Sequence, residues 1–120
     1  MTGQPLYDWW VYTAHQDAKK VVPKATEYGS ESLVALGRTV EGLMGSEGHG
    51  EASASEVAIF VYLTGKMARW AAAIKRGDKV SDDTLLDITT YSMMARRIRD
   101  AGSWPGETDH LSDEGQGRLT

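Results

Sequence analysis

Asp83 and Asp87 are the residues whose type and spacing point most directly to chemistry in this sequence. Residues four apart lie on the same face of a helix, where two like charges cost about 0.2–0.5 kcal/mol unless a cation compensates them. Upstream, Lys66 and Arg69 share a face of the preceding predicted helix by the same rule. The sequence therefore predicts one of two arrangements: a salt-bridged seam between consecutive helices, or a site for a metal ion and a phosphate group.

The two carboxylates have different structural explanations. Ser81 is placed to cap the helix, so Asp83 falls in the first turn, where the helix dipole favours negative charge. Asp87 lies one turn further in, beside an apolar stripe. A carboxylate in that position needs a cation, a hydrogen-bond donor or a metal ion.

Composition limits the classes of protein to be considered. A chain of 120 residues is expected to form one domain. Its net charge of −4 gives no general electrostatic support for binding nucleic acid directly. The absence of cysteine excludes disulfides, thiolate zinc sites and a cysteine nucleophile. No signal peptide is expected, because the sequence does not begin with a charged segment followed by an apolar run. No membrane span is expected either, because no stretch of about 18 apolar residues is visible.

Apolar periodicity and capping residues predict an all-α fold, a compact bundle of four main helices. The predicted helices run from about Leu6 to Lys20 with Pro23 ending or kinking the first, from Ser30 to Gly45, from Ser53 to about Lys75, and from Ser81 to Gly102. A glycine- and serine-rich loop is expected from Gly45 to Ser55. Residues 1–106 form the predicted domain, with Trp104 folded back onto the bundle, and the acidic residues 107–120 form a flexible tail.

Two features of the sequence are expected to lie in the core, an aromatic pair in the first helix and most of the third helix. Trp9 and Trp10 are interpreted as core anchors, with ligand stacking as the alternative, because large aromatic side chains are mostly buried. The third helix begins with a capping box, Ser53 and Glu56, and carries apolar residues around most of its axis. That distribution predicts a central, mostly buried helix.

A set of short motifs between Lys24 and Gly106 carries a family resemblance. The motifs are Lys24 with Glu27-Tyr28-Gly29, Lys66-Met67-Ala68-Arg69, Asp83-Thr84-Leu85-Leu86-Asp87-Ile88 followed by Tyr91, and Trp104-Pro105-Gly106. This pattern resembles the "nucleotide modification-associated" helical domain found in phages. It is more distantly similar to the MazG-type all-alpha nucleoside triphosphate pyrophosphohydrolases, in which carboxylates on two helices hold magnesium against a triphosphate.

The resemblance implies a phage-encoded protein that binds or processes nucleotides in the host cytosol. Mg²⁺ would be held by Asp83 and Asp87, together with Glu27 or Glu31. Lys66 and Arg69 would contact phosphate, and Tyr28 or Tyr91 would stack on the base. An active enzyme of this kind would hydrolyse the bond between the α and β phosphates, with a metal-activated water as nucleophile.

A second function is equally open at this point. The polar pairs could be structural, and a helical surface rich in Trp, Met and Ala could bind a host or phage protein. So many small and aromatic residues on four helices also predict an exposed apolar patch, and hence a homodimer or a higher homo-oligomer. The helices around Trp9, Trp10 and Trp70 are the expected contact surfaces.

Overall fold

The chain is all-α, as the sequence predicts, and it has four helices in the part that the structure describes. The structure is a computed structural model that describes residues 3–28, 31–45 and 50–105, without the side chains of residues 26–28 and 31. The helices are α1 (Gln4–Tyr28), α2 (Glu31–Met44), α3 (Gly50–Arg76) and α4 (Asp82–Ala101). The predicted tail, residues 107–120, lies outside the described residues.

Both ends of α4 are fixed by the residues that the sequence indicates. The Ser81 hydroxyl oxygen accepts a hydrogen bond from the backbone N–H of Thr84 at 3.1 Å and donates one to the Thr84 hydroxyl at 2.9 Å. At the other end Gly102 has a left-handed conformation (φ 89°), and its N–H donates to the Ile98 carbonyl at 2.7 Å. A cap at each end sets the position of Asp83 and Asp87 along the helix axis.

The start of α3 differs from the prediction. The helix begins at Gly50 rather than at Ser53, so Ser53 lies within it and does not form the predicted capping box. Gly50 has a φ of 89° and lies where the chain enters the helix. The first turns of α3 pack closely on α2, because a Cβ at Gly37 would overlap the backbone carbonyl of Ala54. Packing between small residues therefore extends the helix into the predicted loop, whereas the end of α2 before Gly45 (φ 72°) agrees with the prediction.

Pro23 was predicted to end or kink α1, and it does not end it. The helix continues through it to Tyr28. A proline inside a helix removes the hydrogen bond that its nitrogen would donate and crowds the carbonyl four residues earlier, which can bend a helix without ending it.

The core is built by α2, α3 and α4. Its buried members are Leu33 of α2, Ala58 and Ile59 of α3, and Ile98 of α4. Partly buried side chains pack against them: Leu36, Leu63, Tyr91, Met94, Ala95 and Trp104. The predicted return of Trp104 onto the helices is thus confirmed.

Trp9 and Trp10 are not core anchors. Their side chains are 59% and 66% exposed, and their rings meet each other edge to face at a centroid distance of 6.4 Å. No residue of α1 whose side chain is described belongs to the buried core. The prediction is wrong because helical periodicity shows that an aromatic face exists without showing whether another helix covers it.

The third helix is central, since it packs against both α2 and α4, but it is not mostly buried. Phe60, Met67 and Ile74 are 68%, 52% and 67% exposed. By length and composition α3 is also sufficient to cross a membrane, a property that core helices of soluble proteins share, although little of its apolar stretch is covered here. The apolar residues of α3 extend around more of its axis than α2 and α4 cover, so part of its apolar surface is exposed.

Candidate functional site between α3 and α4

The acidic and basic residues singled out in the sequence meet where α3 packs against α4. The Lys66 ammonium nitrogen lies 2.9 Å from Oδ2 of Asp87. The side chain of Lys66 is 17% exposed and that of Asp87 is 43% exposed. A contact this short between partly desolvated charges is stronger than an ion pair in open solvent. Of the two arrangements predicted from the sequence, the ion pair between helices is present in the structure.

A pair of tyrosines lies beside this ion pair. The rings of Tyr62 on α3 and Tyr91 on α4 stack with a centroid distance of 5.2 Å and an interplanar angle of 12°. Burial raises the pKa of the Tyr91 phenol above its ordinary value, and the neighbouring Tyr62 and the negative charge of Asp87 raise the pKa further. Tyr91 was predicted as a site residue, whereas Tyr62 was missed.

The spacing of these four residues shows how the two helices are aligned. Tyr62 precedes Lys66 by one turn on α3, and Tyr91 follows Asp87 by one turn on α4. Tyr62 meets Tyr91 and Lys66 meets Asp87, so the helices run antiparallel along this seam. The sequence signal for Tyr62 was present, since residues at i and i+4 share a helix face and Lys66 was already a candidate.

Arg69 and Asp83 extend the site toward the start of α4. In the antiparallel alignment Arg69 lies at the level of Asp83 and Thr84, one turn beyond the Lys66–Asp87 pair. Both side chains are exposed, and neither forms an ion pair with another residue in the ranges that the structure describes. The four charged candidates thus occupy two successive levels of one seam, with the inner level paired and the outer level open to solvent.

The remaining candidates cannot be placed in the site. Glu27 and Tyr28 end α1 and Glu31 begins α2, but their side chains lie outside the described residues. Within the described ranges, no three His, Asp or Glu side chains are grouped so that they could hold a metal ion.

A further buried charge was missed by the sequence analysis. Glu41 of α2 is only 3% exposed, and its Oε1 atom has no hydrogen-bond partner among the described residues. It lies about two turns after Leu33, on the buried side of α2. A charged residue on the buried face of a helix was the signal that could have identified it.

Comparison of the sequence and the structure with known proteins finds no similar protein. No protein-family model matches the chain, and neither the curated proteins nor the solved structures contain a match.

The carboxylates and cations along the seam fit one type of metal ion together with its phosphate ligand. Mg²⁺ is usually held by one or two carboxylates, retains several waters and takes its other ligands from substrate phosphates. Asp83 and Asp87, one turn apart on α4, could supply two carboxylates of that kind. Lys66 and Arg69 supply cations at the same two levels, which is the charge that phosphate oxygens require.

Proposed function

We propose that this chain binds a nucleoside triphosphate together with Mg²⁺ along the seam between α3 and α4. The observation that carries the proposal is the 2.9 Å contact between Lys66 and Asp87. It brings a candidate phosphate-binding cation and a candidate metal-binding carboxylate from two different helices to one place. Neither group alone would point to a ligand that carries both a metal ion and phosphates.

Each residue has a definite role in this proposal. Asp83 and Asp87 would hold the ion, and Lys66 would exchange the Asp87 carboxylate for a phosphate oxygen when the ligand binds. Arg69, exposed one level further out, would contact a second phosphate in a bidentate manner. Tyr91, or Tyr28 at the end of α1, would stack on the base.

The reaction that the resemblance implies is hydrolysis between the α and β phosphates, which gives a nucleoside monophosphate and pyrophosphate. A bound Mg²⁺ would polarise the phosphoryl group and activate a water molecule. The chain's own contribution would be to position the phosphates with Lys66 and Arg69 and to exclude bulk water on the side of the Tyr62–Tyr91 pair.

The direct test is thermal unfolding with Mg²⁺ or Mn²⁺ and each common ribo- and deoxyribonucleoside triphosphate at millimolar concentration. Binding at one hundred times the dissociation constant adds about 2.7 kcal/mol to the free energy of unfolding, so Tm should rise by several degrees. Asp83→Asn and Asp87→Asn should abolish the rise. Asp82→Asn, which removes an exposed acid from the same helix, should leave it intact. No shift with any nucleotide would contradict the proposal.

A second function, a helical interaction protein, is favoured by a separate observation. The first three turns of α1 expose Leu6, Tyr7, Trp9, Trp10, Val11 and Tyr12. Soluble monomers seldom leave so many large apolar side chains together in solvent, and Trp and Tyr are the residues that dominate binding surfaces. These side chains are distributed around the helix axis rather than along one stripe, so α1 would bind a partner that contacts it on more than one side.

The interaction function has its own test. A partner should copurify at fixed stoichiometry and re-form the complex from purified components. Trp9→Ala combined with Trp10→Ala should abolish this complex, whereas Trp70→Ala on α3 should not. A complex that survives the double substitution would contradict binding through α1.

A further inference from the structure

A second apolar surface runs along α3, on the side turned away from α2 and α4. Its members are spaced four, three, four and three residues apart, which is the spacing of a coiled-coil seam. They are Phe60, Thr64, Met67, Ala71 and Ile74, and we call them the α3 stripe. All five are exposed. The stripe is about 20 Å long, since each helical residue adds about 1.5 Å.

The stripe is distinct from the core-facing side of the same helix. Ala58, Ile59 and Ala73 are buried on that other side. Because Phe60, Met67 and Ile74 are 68%, 52% and 67% exposed, none of the residues that the structure describes covers the stripe. Large side chains at its two ends and in its middle alternate with the small Thr64 and Ala71, an arrangement into which knobs from a second helix can fit.

The charges at the two ends of the stripe have opposite sign. Glu56 lies one turn before Phe60, and Lys75 lies one turn after Ala71. Both are exposed, and neither has an ion-pair partner among the residues that the structure describes. Glu51 and Arg76, also near the two ends of α3, already pair with Arg38 and Asp78, so Glu56 and Lys75 are the charges that bear on the stripe.

We infer that the α3 stripe binds the α3 stripe of a second copy of this chain, with the two helices antiparallel about a two-fold axis near Met67. In that arrangement the acidic end of each helix meets the basic end of the other. A parallel pair would instead place Glu56 beside Glu56 and Lys75 beside Lys75. A two-fold axis also makes the surface self-complementary, as a closed dimer requires. The inference does not depend on the proposed nucleotide function.

A lipid bilayer is the other apolar environment that α3 could enter, and its charges argue against that. Lys66 and Arg69 lie in the middle of the helix, and Lys66 is paired with Asp87 of α4. Each charge at the centre of a membrane-spanning helix costs roughly 2.5–3.5 kcal/mol on insertion scales. The apolar surface is moreover a stripe on one side of the helix, and a stripe fits another helix better than it fits lipid on all sides.

The test is the mass in solution of the full chain and of matched methionine variants. Sedimentation or light scattering over a range of concentrations should show a species of twice the 13.1 kDa monomer mass that dissociates on dilution. Met67→Lys should raise the dimer dissociation constant by at least about tenfold. Met93→Lys on α4 is the control, because Met93 is 53% exposed and Met67 is 52% exposed. It should change the constant by less than about twofold.

Charge variants test the antiparallel arrangement. Glu56→Lys and Lys75→Glu should each weaken the dimer, and the double variant should restore it. Ala71→Glu, a second exposed position in the stripe, should give the same result as Met67→Lys and replaces it if that variant fails to fold by circular dichroism.

Three outcomes would overturn the inference. One is a monomer at every concentration, and another is equal weakening by Met67→Lys and Met93→Lys. The third is cosedimentation of the wild type with phosphatidylcholine vesicles that Met67→Lys abolishes, which would assign the stripe to a lipid surface.

Discussion

The ion pair between Asp87 and Lys66 is neither fully exposed nor fully buried. Exposed pairs contribute at most about 1 kcal/mol, whereas removing one partner of a fully buried pair costs about 3–5 kcal/mol. The side chain of Asp87 is about half exposed and that of Lys66 is mostly covered. The loss of Asp87 would therefore leave a partly desolvated ammonium without its counter-charge, and solvent would screen only part of the cost.

Asp87→Asn should consequently lower the free energy of unfolding by roughly 1–2 kcal/mol, between those two limits. Asparagine keeps the shape of the side chain and removes its charge, so denaturant unfolding measures the charge alone. Asp82→Asn is the control and should cost about 0.3–1 kcal/mol through the helix dipole. If the Asp87 variant loses stability while its response to Mg²⁺ and nucleotide is unchanged, Asp87 belongs to the seam and not to a metal site.

Tyr91 makes the same seam sensitive to high pH. Its phenol has a raised pKa in the folded chain, first through burial and then through Tyr62 and Asp87, relative to 10.0 for the ordinary group. Above pH 10 the unfolded chain releases this proton while the folded chain retains it, so stability falls as pH rises through that window. Below pH 10 both states hold the proton, and the contribution is fully present.

Tyr91→Phe should therefore lose less stability than the wild type between about pH 9.5 and pH 11, a window set by the phenol's ordinary pKa. Tm measured across this range is the readout, and Tyr7→Phe on the exposed part of α1 corrects for the general effect of removing a tyrosine. Identical pH profiles for the wild type and Tyr91→Phe would show that the phenol is not perturbed.

Among the helices, the contact between α2 and α3 depends on a single missing side chain. Gly37 is buried, and a Cβ there would overlap the carbonyl of Ala54. Gly65, inside α3, has open space around the position of its missing Cβ. Both glycines lie inside helices, but a Cβ would meet other atoms only at Gly37.

Gly37→Ala should destabilise the protein by more than about 2 kcal/mol, because α2 and α3 must separate to admit the methyl group. Gly65→Ala is the matched control and should stabilise it by about 0.5–1 kcal/mol, since alanine favours the helix. Chemical denaturation of both variants measures the difference. Equal effects would mean that α2 and α3 do not approach each other so closely in solution.

Local sequence signals predicted the helices better than they predicted their surroundings. Ser81 and Gly102 act within one turn of chain, so the ends of α4 could be identified from residue type alone. The start of α3 could not, because it depends on the packing of Ala54 against Gly37 on another helix. The Lys66–Asp87 contact was one of the two arrangements predicted from helix faces of opposite charge. Tyr62 and Glu41 carried signals in the sequence, but their places in the seam and in the core depend on which helix faces meet.

For the molecule as a whole, burial is distributed very unevenly. The core joins α2, α3 and α4, and the aromatic start of α1 lies in solvent. Periodicity could not predict this, because an apolar helix face looks the same in sequence whether its partner belongs to the same chain or to another. A dimer formed through the exposed surface of α1 would be lost when α1 is removed, whereas a dimer formed through the α3 stripe would remain.

Deletion of residues 1–28 separates the two surfaces. Because no described side chain of α1 lies in the core, the remaining helices should still unfold cooperatively, with a free energy of unfolding within roughly 1 kcal/mol of the full chain. If the α3 stripe forms the dimer, the shortened chain should also keep its dimeric mass, measured by light scattering against the Met67→Lys variant. A monomeric truncation would move the dimer contact to α1, where Trp9 and Trp10 were first expected to form it. A truncation that loses several kcal/mol would mean that α1 covers the core in solution.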